Sequence, residues 1–156
     1  MPRLAGTEDI GTAADILARA FATDPVVSQF IANVPRNAAR RAKFFEFECR
    51  LTLSGFGEIW LDDDGLGAAI WRHPGGYPEP ASVQLRNLPR YVLLFPREFL
   101  KASRALSTVA KAHPREPHWY LVAVGVVPEA QGEGRGAKLL EPVLRRCDEE
   151  RVPAYL

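Results

Sequence analysis

The sequence predicts a mixed α/β domain, and three stretches carry that prediction. The apolar, β-branched run from Leu121 to Val127 reads as a buried strand, and the glycines after it lead into Ala137-Lys138-Leu139-Leu140, which reads as a helix opening. Glu58-Ile59-Trp60-Leu61 and Gly67-Ala68-Ala69-Ile70-Trp71 read as strands joined through Asp62-Asp63-Asp64-Gly65, whose Asp-Gly end signals a hairpin and therefore an antiparallel pair. Segments of helical period surround both. At 156 residues, 47% hydrophobic and 25% charged, the chain suits one domain, residues 1–156, with a core of its own.

In order, Arg3 to Ala5 is expected as a short edge strand. Thr7 is the expected N-cap of a helix with Ile10, Ala14, Leu17 and Phe21 on one face, ending near Asp24-Pro25. A second helix is expected from about Ala38 to Ser54, with Phe44, Phe47 and Leu51 spaced for burial and Gly55 just beyond it. Phe45 lies off that stripe and is the aromatic to watch as a pocket lining. Pro74 to Pro80 must be irregular, since prolines remove donors and glycines loosen the backbone, and it is a candidate pocket mouth. From Ala81 to Ala112 two or three helices are expected, broken near Pro89 and Pro96. Their basic residues Arg86, Arg90, Arg97, Lys101, Arg104 and Lys111 interleave with Leu85, Leu93, Phe99, Leu100 and Leu106, the pattern of a solvated amphipathic surface rather than a nucleic-acid face. His113-Pro114-Arg115-Glu116-Pro117 is a stiff connector into the central strand, His118 to Val127. Pro142 is expected to kink the helix that follows.

Composition excludes several classes of partner. A formal net charge of +1, from 20 Lys plus Arg against 19 Asp plus Glu, makes no field for nucleic acid or an anionic membrane. Neither a signal core nor a spanning apolar run is present. Cys49 and Cys147 have no metal or disulfide spacing, so reduced thiols in the cytoplasm are the simple reading. No metal is expected: consecutive side chains in Asp62-Asp63-Asp64 do not converge, and a solvated turn is the expectation there.

Strand, glycine turn and helix opening together make an anion site, because free N–H groups of a helix's first turn point outward with the positive end of its dipole. Spacing separates the candidate anions. A P-loop needs Gly-Lys-Ser/Thr, whereas Ala137 precedes Lys138 and Leu139 follows it, so no hydroxyl is placed for magnesium. Gly132, Gly134 and Ala137 satisfy a relaxed dinucleotide fingerprint, yet too little chain follows for the strand-helix units that fold requires.

Gln131-Gly132-Glu133-Gly134-Arg135-Gly136 matches the Q/R-x-x-G-x-G/A pyrophosphate signature of the GNAT acetyltransferases, which the chain resembles over most of its length. The likeness is dense from His113 onward, with Val124-Gly125-Val126 before Pro128, and thin between Tyr77 and Lys111. It implies a GNAT-like mixed, mainly antiparallel sheet with helices on both faces, splayed where the central strand parts from a parallel one, and acetyl-coenzyme A in the gap. It implies that backbone N–H groups from Gln131 through Ala137, Glu133 included, hold the pyrophosphate, and that Val124-Gly125-Val126 runs beside the pantetheine arm. Arg135 either adds a contact to a cofactor phosphate or is simply solvated.

The implied reaction moves acetyl to the primary amine of a small molecule by direct attack through a tetrahedral intermediate. Tyr120 stands where several family members carry a general-base glutamate; it either positions water or lines the pocket. His118, two residues earlier on the same strand face, is the other catalytic candidate. Val152 to Leu156 resembles the beginning of the parallel strand, and relatives continue with a further helix and two strands. The expectation is therefore a C-terminally incomplete domain, completed elsewhere or acting as a non-catalytic, degenerate acyl-CoA-binding domain. The acceptor wall is expected from Phe21 to Val34 and Pro74 to Pro80, and an exposed sheet end makes a homodimer the expected assembly.

Overall fold

The computed structural model describes residues 1–31 and 35–156. Among these, one five-stranded sheet has the spatial order β1 (Arg3–Leu4), β2 (Gly57–Leu61), β3 (Gly67–Arg72), β4 (Trp119–Val126) and β5 (Ala154–Tyr155). Each successive pair among the first four strands is antiparallel, and β5 is parallel to β4, as the resemblance implies. The helices are α1 (Ile10–Ala20), α2 (Pro25–Ser28), α3 (Ala38–Leu51), α4 (Ala81–Leu94), α5 (Phe99–Ala112) and α6 (Arg135–Glu150). Period-2 alternation divides the sheet between two cores: Ala68 and Ile70 face α1 and α3, while Ala69 and Trp71 face Leu139 and Val143 of α6.

Several local expectations are corrected. Thr7 does not cap α1: the Asp9 carboxylate folds back onto the Gly6 N–H at 2.9 Å and accepts Arg3 at 2.6 and 2.8 Å. Those bonds, the Arg3 one foremost, hold the Asp9 carboxyl down at about 2. Asp24-Pro25 opens a helix instead of closing one, because Asp24 Oδ1 accepts from the N–H groups of Val26 and Val27 at 2.9 and 2.8 Å. Phe45 is core, 3% exposed, with its ring 5.4 Å from Phe21 and 5.1 Å from Phe44. Helix α3 packs on both α1 and the sheet, so its buried face is wider than a single stripe.

Pro89 does not break α4, nor does Pro142 interrupt α6. The carbonyls each proline frees, on Leu85 and Lys138, belong to exposed residues where water can satisfy them. Three leucines of the α4–α5 segment do not face inward: Leu85, Leu93 and Leu100 are 70%, 79% and 71% exposed. The pair is seated instead by Phe95 and Ala102 on Ile31, a small third core. Of the expected acceptor wall, Ala32 to Val34 lie outside the described residues.

Candidate functional site

Strand β4 carries both halves of the candidate site. It pairs with β3 from Gly67↔Val126 to Ile70↔Ala123 and resumes at Trp71↔Leu121, leaving Val122 as one extra residue. The bulge reverses the faces: Trp119 and Leu121 pack toward α6, whereas Ala123 and Gly125 turn toward α1. On the other edge, β5 pairs only at Trp119↔Ala154 and Tyr120↔Tyr155, so beyond Tyr120 that edge of β4 has no strand partner among the described residues. Val124 and Val126 lie along this open stretch.

Gly125 serves the packing of α1. A Cβ there would stand 2.7 Å from Ala20 Cβ and 3.2 Å from Leu17 and Phe21, so only glycine lets the helix settle on the strand. Gly125→Ala is expected to destabilise by about 1–3 kcal/mol through overpacking, read as a lower Tm.

The glycine turn follows. Gly132 and Gly134 have φ of 87° and 72°, left-handed backbone that favours glycine. Gly134 is the N-cap of α6 and no side chain caps the helix, so the first-turn N–H groups of Arg135, Gly136 and Ala137 lack helical acceptors. The Gln131 side-chain amide donates to the Val126 carbonyl at 3.0 Å, tying the turn to the strand end. Arg135 is neither solvated nor free: it donates to Asp62, Asp64 and Glu133, each at 2.9 Å, and those carboxylates push its pKa up. Asp62 uses its other oxygen to accept the N–H groups of Leu66 and Gly67 at 2.7 and 3.0 Å. The acidic hairpin turn, expected only to be solvated, therefore anchors the glycine turn.

At the opposite end of β4 the structure gathers a histidine–tyrosine cluster. His118 and Tyr120 share a face, as expected. His113, from the connector, lies with its Nε2 2.8 Å from His118 Nε2. The rings of Tyr120, Tyr77 and Tyr155 stand 4.5, 4.6 and 5.0 Å from the His113 ring. Beside them, Arg72, 2% exposed, meets Thr52 Oγ1 at 2.7 Å, Glu48 at 3.1 Å and Glu79 at 3.2 Å; Tyr91 donates to Glu48 at 3.3 Å. Burial raises the Glu48 carboxyl despite Arg72. Burial, then Glu48, also raises the Tyr120 hydroxyl, and burial with Tyr120 pushes Tyr77 up to about 12. Tyr120 is therefore a neutral phenol at pH 7 and a poor base.

Sequence reasoning missed His113, Tyr155 and Glu48 as site residues, whereas Glu79 lies in the Pro74–Pro80 loop. Arg72 was discoverable as a charge ending an apolar strand, and Tyr77 lay in the loop read as a pocket mouth. Among the described residues no group of His, Cys, Asp and Glu is arranged to hold a metal, and no helix is long and apolar enough to cross a membrane. Both cysteines are free and buried.

No protein-family model matches the chain. It is 32% identical over 102 residues to an uncharacterized N-acetyltransferase of Schizosaccharomyces pombe, a match covering 60% of this chain but only 41% of the curated relative's length. Its fold matches a crystal structure described as histone acetyltransferase HPA2 and related acetyltransferase from Corynebacterium glutamicum, with TM-score 0.70 and 27% identity over 94% of this chain and 71% of that one. It also matches a GNAT family acetyltransferase from Brucella melitensis in complex with acetyl-CoA, with TM-score 0.50 and 17% identity over 97% and 70% of the two chains, which bears on fold alone. With this mixed, splayed sheet, the chain has the GNAT-like fold of these acetyltransferases.

Proposed function

We propose that the protein is an acetyl-coenzyme A-dependent N-acetyltransferase acting on the primary amine of a small molecule. The observation that carries this reading is the uncapped first turn of α6 behind the glycine turn, opening at the unpaired edge of β4. Backbone N–H groups from Gln131 through Ala137 would hold the pyrophosphate without a metal, and β4 from Val124 to Val126 would run beside the pantetheine arm. The Val126 carbonyl already accepts from Gln131, so an amide of the arm would use its second lone pair or replace that side chain. The fit is chemical: outward amides, open space around Gly132, Gly134 and Gly136, and a strand edge able to accept one more hydrogen-bonded chain.

The cofactor supplies an activated acyl group. An amine near the lysine reference of about 10.4 is mostly protonated at neutral pH, so the protein must accept its proton before attack. The cluster around His118 and Tyr120 supports that role, with the tyrosine hydroxyls able to orient water or the acceptor as donors. Two buried free cysteines support a cytoplasmic location. The reading extends to a homodimer, which a monomer mass at every concentration in sedimentation velocity would reject.

Two measurements test the proposal: calorimetry with coenzyme A, and thiol release from acetyl-coenzyme A across an amine panel that includes aminonucleosides. Micromolar binding with amine-dependent release supports it; binding without release on any amine leaves only an acyl-CoA-binding domain. Arg135→Ala is expected to weaken coenzyme A binding several-fold by loosening the turn, since its partners are partly exposed and such pairs contribute little individually. A hundredfold loss would instead put the guanidinium on the phosphate.

A further inference from the structure

We propose that His113 Nδ1 takes the proton from the acceptor amine, and that His118 positions it by fixing the tautomer that leaves this nitrogen bare. The inference rests on the acetyl-transfer reading and adds to it the residue that accepts the proton.

The hydrogen-bond chain has one consistent polarity while both rings are neutral. The Glu116 carbonyl can only accept, so His118 Nδ1, 2.6 Å away, carries the hydrogen. His118 Nε2 is then the acceptor, and His113 Nε2, at 2.8 Å, must donate to it. His113 Nδ1 is left with a lone pair. It is buried, in a residue only 7% exposed, and no described residue donates to it. A buried acceptor without a donor is rare and asks for a ligand, a water or a catalytic role.

The surroundings favour the last. The groups facing His113 are His118 and Tyr120 on β4, Tyr155 on β5 and Tyr77 on the Pro74–Pro80 loop, with Glu48, Arg72 and Glu79 behind the tyrosines. Burial, then His118, lowers the His113 pKa below that of an ordinary imidazole, so it is neutral at pH 7 and able to accept. The raised hydroxyls of Tyr77 and Tyr120 leave both able to donate but unable to compete as bases. Pro114 and Pro117 bracket the turn that brings the two histidines together.

The step balances. The ammonium gives one proton to His113 Nδ1, directly or through one water, and His113 Nε2–H can pass its own to His118 Nε2. The freed amine lone pair forms the C–N bond at the thioester carbonyl. Collapse of the tetrahedral adduct breaks the C–S bond, and the proton remaining in excess on nitrogen goes to the departing thiolate, giving amide and coenzyme A.

The test uses an amine that the wild-type chain acetylates, with kcat and kcat/KM measured from pH 5 to 9 and coenzyme A affinity measured alongside. His113→Asn is expected to lower kcat by about 10²–10⁴-fold and to remove the acid limb of the pH profile, with coenzyme A affinity unchanged. His118→Leu is expected to fall similarly, and His118→Gln, whose amide oxygen can accept from His113 Nε2, to recover part of that loss. Wild-type kcat and pH profile in His113→Asn would overturn the inference while leaving acetyl transfer standing. A wild-type chain that binds coenzyme A but acetylates no amine would overturn the acetyl-transfer reading and this inference with it. Should His113→Asn fail to fold, nitrogen NMR of the wild-type imidazoles decides: a bare Nδ1 on His113 is expected, and a proton there at neutral pH overturns the assignment.

Discussion

Gly134→Asp is expected to abolish coenzyme A binding while leaving the fold intact. Gly134 is the N-cap of α6 and nothing lies within 4 Å of where its Cβ would be, so the new side chain has room. Its φ of 72° costs a non-glycine residue a little, but aspartate tolerates that region better than most residues. A carboxylate at a helix N-terminus is also favourable to the helix. The same carboxylate would occupy the amides proposed to hold the pyrophosphate and repel it. At an effective dielectric near 20, two unit charges about 4 Å apart repel by about 4 kcal/mol, on the order of a thousandfold in affinity. Calorimetry against coenzyme A reads the loss, and Gly134→Asn, matched in size but neutral, separates charge from bulk. Retained affinity in Gly134→Asp would move the cofactor away from this turn.

Arg72→Met is expected to be the most destabilising single substitution at the site. Arg72 is the cation between Glu48 and Glu79, and it also donates to Thr52. Removing it leaves two largely buried carboxylates without their counter-charge, a change that typically destabilises by about 3–5 kcal/mol. In a domain of this size that corresponds to a fall in Tm of roughly 10 °C. The loss should depend on pH. Glu48 already has a raised folded pKa, so its protonated form favours folding; that contribution is full below the unfolded carboxylate pKa and lost as pH rises through the folded value. Without Arg72 the folded pKa rises further, so the deficit of Arg72→Met relative to wild type should be larger at pH 7.5 than at pH 5. A deficit that is constant across this range would mean the carboxylates are reached by water or by another cation.

The parts of the fold legible in the sequence were those written in local chemistry. The Asp-Gly hairpin, the apolar β4 run, the glycine turn and the helix after it each carry their signal within a few residues. The features that escaped arise from packing between distant segments. The Val122 bulge has no composition cue, so period-2 reading puts Tyr120 and Val124 on one face, although Val124 packs toward α6 and Tyr120 lies by Glu48 of α3. Phe45 falls off the single i, i+3/i+4 stripe that periodicity defines, yet it is core because its helix touches two neighbours. Arg135 looked free because its partners Asp62 and Asp64 are far away in sequence. Glu48, Arg72 and Glu79 come from three separate elements, and no spacing rule joins them. His113 reads in sequence as backbone punctuation before a proline, and only the structure shows its pairing with His118.

The excursion of α4 and α5 between β3 and β4 has a kinetic meaning. β2 and β3 are joined by a tight turn and can pair early, whereas β4 must find β3 across the whole helical insert, a loop closure whose entropy cost precedes any reward. The rate-limiting step of folding is therefore expected to be the docking of β4, and with it the birth of both the anion turn and the histidine pair. Shortening the insert should speed refolding far more than it changes the unfolding rate. Until β4 docks, a nascent chain can hold its hairpin and first helices and still have no affinity for the proposed cofactor.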